Sequence, residues 1–229
     1  MKKFLVIIVI LLAIFFGMYI YKYRMNNSSV TANEVQDIEK YISKIYLWSE
    51  VCGEALPKFD DINNANDKWV WEAIKQNLDK YTFTKEDVEN EGKELFGDSF
   101  KKEFPKEGAG FIFYDEETGL YSATGMGLDA DDDSFFINKV KKTEDGYIVD
   151  IVEYLVDYSE EDYGEDVNNP NKEKHLYVKN LDNEIIETIN EGEESKIVEA
   201  VKNNIDKFSR KTLTILKAQD GKLFLKSVK

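Results

Sequence analysis

The chain has 229 residues, 45 of them acidic and 30 basic, for a net charge of −15 at neutral pH. That balance argues against nucleic acid as a partner, because holding a phosphate backbone needs a basic face. One cysteine (Cys52) and one histidine (His175) exclude an intrachain disulfide, CxxC redox chemistry and histidine-rich metal sites.

The first 24 residues are MKKFLVIIVILLAIFFGMYIYKYR, with Lys2 and Lys3 ahead of an uncharged, largely apolar run over 4–21 that Lys22 and Arg24 close. Such a run makes roughly 27 Å of helix, about one bilayer hydrocarbon core. A cleaved signal ends in a small-x-small site. Here the run ends in Met18-Tyr19-Ile20-Tyr21, and the nearest such pattern, Val30-Thr31-Ala32, lies well beyond it. Tyr19, Tyr21 and Tyr23 suit an interfacial aromatic belt. The expectation is an uncleaved transmembrane anchor over 1–24, with the lipid bilayer as its partner through 4–21. Short N-terminal tails usually stay inside, which puts the rest of the chain outside the cytoplasm. That remainder holds 26 basic and 45 acidic residues, net −19. It therefore has little electrostatic hold on anionic lipid without the tether.

Residues 25–33 are small and polar, a linker. The region 34–229 reads as one domain. A helix is predicted over 34–56, with Val35, Ile38, Ile42, Ile45, Cys52 and Leu56 on one stripe and Pro57 as its stop. A second runs over 66–81 on Val70, Trp71, Ile74, Leu78 and Tyr81, with Trp69 off that stripe. Thr84 followed by Asp87 is a capping-box start for a third helix ending at Gly97. From Ala109 the period changes to two. Strands are predicted over 110–114 and 120–124, then a longer hairpin over 134–143 and 147–159 around Asp145-Gly146. After an acidic loop at 160–173 come strands over 174–180 and 184–189. A helix over 193–208 follows, on Ile197, Val201, Ile205 and Phe208. A last hairpin pairs 212–218 with 223–228 around Asp220-Gly221.

The predicted class is α+β, with helices packed on a bent antiparallel sheet. A helical start followed by a meander that ends in a glycine-turned hairpin resembles the NTF2-like (cystatin-like) superfamily over 34–229. The resemblance implies a bent sheet around a long helix with a conical pocket, although the helix at 193–208 falls later than in that pattern.

A two-residue turn at Asp145-Gly146 would set Glu144 opposite Tyr147, and then pair Lys142/Val149, Val140/Ile151, Asn138/Glu153 and Phe136/Leu155. Glu153 then sits between Ile151 and Leu155 on an apolar face, where a carboxylate is costly unless paired or solvated. Glu153 and Asn138 are thus the candidate ligand-binding residues, with a hydrogen bond between the two as the plainer alternative. Asp129, Asp131 and Asp133 begin like a calcium loop. Ser134 stands at its sixth position and Val140 at its twelfth, so no EF-hand is expected. A looser calcium site shared with the acidic stretch 157–166 competes with a simpler role as solvated charge. His175 has no neighbouring acid or thiol, Cys52 falls on an apolar stripe, and Gly125-Met126-Gly127 is not a phosphate loop. No catalytic set, metal site or cofactor is indicated.

The first functional expectation is a non-catalytic, membrane-anchored extracytoplasmic domain that binds or scaffolds an envelope protein. The second is a small-ligand binder or isomerase-like enzyme with Glu153 in a conical pocket. The third is a calcium-responsive surface protein. A closed apolar pocket of a few hundred cubic ångströms with Glu153 inside would separate the first two, and a filled core would leave the first standing.

Overall fold

The computed structural model describes residues 30–47, 49–123, 132–158, 175–190 and 192–229. The expected anchor over 1–24, most of the linker, Asp129 and Asp131, and most of the acidic stretch after Asp157 lie outside them. No helix among the described residues is long and apolar enough to cross a membrane.

Helix α1 (Ala32–Ile45) starts on a capping box: Thr31 Oγ1 accepts the Glu34 N–H, and Glu34 accepts the Thr31 N–H. It buries Ile38, Tyr41, Ile42 and Ile45. The predicted single helix breaks after Ile45. Tyr46 is extended, and Leu47 donates to the Ala55 carbonyl instead of continuing the helix. The indole N–H of Trp69 donates to the carbonyls of both Ile45 and Ala55, 3.1 Å each. These tertiary bonds replace the helical ones, so the chain folds back through the short helix α2 (Ser49–Cys52).

Helix α3 (Asp67–Asn77) is capped by the Asn66 side chain and is buried nearly all round from Trp69 to Ile74. Trp69 therefore packs inside, against Phe59 and Phe96, whereas Tyr81, predicted on the stripe, lies beyond the helix and is 90 % exposed. Helix α4 (Lys85–Phe96) keeps its predicted Thr84–Asp87 box and ends at Gly97. Gly97 has φ +84°, with the Phe224 ring 3.0 Å from where a Cβ would stand. Tyr41 ties three elements together. Its hydroxyl donates to Leu95 O and accepts the Leu225 N–H, and burial raises its pKa.

A small antiparallel sheet, ordered β1-β4-β3-β2, is built from β1 (Thr82–Phe83), β2 (Gly108–Ala109), β3 (Ile112–Asp115) and β4 (Leu120–Ala123). It closes over Trp71 through Phe104 and Tyr121. Glu72, buried on α3, holds its bend by accepting the Phe111 N–H (2.7 Å) and the Lys75 ammonium (2.9 Å).

The main sheet contains β5 (Asp132–Lys142), β6 (Gly146–Tyr158), β7 (His175–Lys179), β8 (Ile185–Asn190), β9 (Ser209–Lys217) and β10 (Leu223–Val228), all paired antiparallel. β6 has β5 along one side. On the other side it has two successive neighbours, β9 from Gly146 to Glu153 and β7 from Leu155 to Tyr158. Its odd residues Tyr147, Val149 and Ile151 join the core under α1, α3 and α4. Its even residues Val152 and Tyr154 join a second core with Leu176, Val178 and Val201. Val201 lies on α5 (Ile197–Asn203), which short 3₁₀ turns flank inside the predicted 193–208 helix.

The β5–β6 register differs from the expected one. Thr143 donates to Gly146 O, so the turn is Glu144-Asp145 and Lys142 faces Tyr147. The ladder then shifts between Ile137 and Lys139, leaving Asn138 as an exposed extra residue. Phe135, not Asn138, lies opposite Glu153. The shift brings Val140, Ile137 and Phe135 onto one face, which plain alternation cannot do. With Lys139 and Lys141 exposed, the bulge also blunts this edge strand against pairing with another chain.

At the hairpin end, Glu34 accepts from Lys142 (2.8 Å) and from the Tyr147 hydroxyl (2.9 Å). Chiefly the Lys142 bond, then the Thr31 N–H and Tyr147, hold the Glu34 carboxyl down at about 2, below its ordinary 4.5. A carboxylate with a depressed folded pKa stabilises above its unfolded value and loses that contribution as pH falls through the folded one. The stability gap between wild type and Glu34→Gln should therefore be full above pH 4.5 and shrink toward pH 2. Urea melts at pH 7, 4 and 3 check this, and a gap that does not change with pH would refute the clamp.

Candidate functional site

Where β9 hands over to β7, the sheet forks beside Glu153. Glu153 lies opposite Ser209, the first residue of β9, and the next pair on that side is Leu155 with Lys179, the last residue of β7. The segment 53–58 runs over the fork from the helical layer. Pro57 and the left-handed Gly53 (φ +85°) keep it out of helix.

Glu153 is fully buried, and so is the residue that answers it, Lys211, at 4 % exposure. The Lys211 ammonium lies 3.0 Å from Glu153 Oε1, donates to the Leu56 carbonyl at 2.5 Å and stands 3.7 Å from the exposed Glu54 carboxylate. Ser209 Oγ donates to Glu153 Oε2 at 3.2 Å. The Tyr46 hydroxyl lies within donating distance of both Ser134 O (3.2 Å) and Glu153 Oε1 (3.4 Å). Burying either charge alone would cost several kcal/mol; mutual pairing with full hydrogen bonding is what makes the arrangement tolerable.

This pair forms the floor of a cleft of about 390 Å³, within the size range of small-ligand pockets. Ala55, Leu155 and Leu181 give it apolar surface. Ser209 and Asn183 give it neutral polar groups, and Glu54 and Lys58 bring charge to its mouth. Asn183 sits at φ +63° in the β7–β8 turn, which the buried Asn180 braces by accepting the Asp182 and Glu184 N–H groups. A second, shallower hollow of about 480 Å³ lies between β8 and α5, with polar walls that include Glu187, Asn190 and Lys196.

Of the two candidate residues, Glu153 lines the cleft and Asn138 does not. Lys211 was missed by sequence reasoning, although a signal existed. The alternation Lys211, Leu213, Ile215 puts the lysine on the inward face once the strand is begun at Ser209 instead of Thr212. His175 faces Asn190 across β7–β8, 3.2 Å from Nδ1 to the amide oxygen, and Cys52 is buried. Among the described residues no group of three or more His, Cys, Asp or Glu side chains is placed to hold a metal. Searches of the chain against family models, curated proteins and solved structures found no match.

Proposed function

We propose that this chain is a membrane-anchored, extracytoplasmic binding domain whose cleft at the sheet fork takes a small ligand. The carrying observation is the cleft itself: a few hundred cubic ångströms of space with a buried, fully bonded Lys211–Glu153 pair as its floor. The anchor rests on the apolar run over 4–21 between Lys2-Lys3 and Lys22-Arg24. Binding fits the floor better than catalysis. A general base needs a lone pair aimed at the substrate, and both Glu153 oxygens already accept bonds from Lys211 and Ser209. Helices first, then a meander closing on a glycine-turned hairpin, support an NTF2-like arrangement as part of the proposal.

The full chain should resist alkaline carbonate extraction from membranes. In detergent, a panel of small amphipathic compounds should contain members that raise the melting midpoint of wild type. Those members should not raise that of Leu181→Trp, where an indole at a 40 % exposed rim position fills the cleft. Release by carbonate would defeat the anchor, and a panel with no such member would defeat the cleft.

A further inference from the structure

The cleft carries two pairs of opposite charges with different standing. The inner pair, Lys211 and Glu153, is buried and self-neutralised. The outer pair, Glu54 and Lys58, lines the same cleft from one segment. Among the described residues Glu54 has no ion contact closer than its 3.7 Å approach to Lys211, whose nearer partners are Glu153 and Leu56 O. Its side chain is 59 % exposed. Lys58 is exposed and makes no ion pair with any described residue. The same cleft is lined by Ala55 and Leu155, which are buried, and by Leu181, 40 % exposed at its rim. The lining is therefore neutral in sum, with an exposed carboxylate and an exposed ammonium beside apolar surface.

We infer that the ligand is a small apolar zwitterion, a free amino acid or dipeptide with an aliphatic side chain. Its ammonium pairs with Glu54, its carboxylate with Lys58, and its side chain lies on Leu155 and Leu181. A simple cation or a simple anion would satisfy one mouth charge and leave the other without a partner. This inference rests on the binding reading above.

The test uses the full chain in detergent and calorimetric titration with four probes. These are leucine, leucylglycine, isoamylamine (leucine without its carboxylate) and isocaproate (leucine without its ammonium). At least one zwitterion should bind, and both single-charge analogues should bind at least about tenfold more weakly, the equivalent of one lost charge contact. Glu54→Gln should erase the preference over isocaproate, and Lys58→Gln the preference over isoamylamine. Both positions are exposed, so the variants should fold as wild type, which a melt confirms. Analogues that bind as well as the zwitterions, or variants that keep full preference, would overturn the inference. If an analogue alone binds wild type and fails on Leu181→Trp, the zwitterion is wrong while the cleft stands. If none of the four probes binds a chain that melts cooperatively, the zwitterion falls; the cleft itself falls only if the amphipathic panel also has no member that stabilises wild type.

Discussion

Lys211→Met should lower folding stability by about 3–5 kcal/mol, the usual penalty for leaving one member of a buried ion pair without its partner. The lost ammonium bridges Glu153 and the Leu56 carbonyl, so the change strands a buried carboxylate and a backbone oxygen together. Glu153→Gln should also destabilise, because it leaves the ammonium facing a neutral amide with no second buried carboxylate to turn to. The double variant Glu153→Leu with Lys211→Met removes both charges and should recover most of the loss, since apolar replacement of a whole buried pair is often near neutral. Urea melts of wild type, Lys211→Met, Glu153→Leu and the double variant form a double-mutant cycle. Additive losses would show that the two side chains do not interact as described. The double variant removes the ammonium that donates to Leu56 O, so the recovery should stop short of wild type by about 1 kcal/mol.

Trp69→Ala should cost about 3–5 kcal/mol, the range for emptying a buried aromatic site. Two effects combine there. The indole fills space between Phe59 and Phe96, and its N–H satisfies two carbonyls at the break between α1 and α2. Trp69→Phe separates them. It keeps most of the apolar volume and loses the donor, and should cost about 1–3 kcal/mol, the penalty for buried groups left unpaired. Thermal melts of both variants are the check. A Phe variant as stable as wild type would mean the helix break does not depend on the indole N–H.

The elements that were legible in the sequence are those whose cause is local. The Thr84–Asp87 box and Gly97 bound α4 from neighbouring residues alone, and the Asp220-Gly221 hairpin bounds β10 at its predicted ends. The α1 break was not legible, because the groups that cause it, Trp69 and Ala55, lie 24 and 10 residues from Ile45. β1 and β2 are two residues each and carry no periodicity. The Asn138 bulge hid the register for a different reason. Hydrophobic alternation reports which residues face inward but not where an extra residue is inserted. The burial of Glu153 was legible, since Ile151 and Leu155 flank it at alternate positions and all three are buried. Its partner Lys211 lies 58 residues further on, and only the pairing of β9 with β6 brings the two together.

The handover from β9 to β7 along one flank of β6 gives the cleft a kind of permanence. A bulky substitution such as Leu181→Trp can plug a cleft without removing its cause. This one begins as a gap between the ends of two strands that share a neighbour, so it is a property of connectivity. Sequence drift can change what coats the gap, swapping charge for amide or leucine for tyrosine, while the opening itself persists as long as both strands remain. Such an arrangement lets recognition evolve without renegotiating the fold.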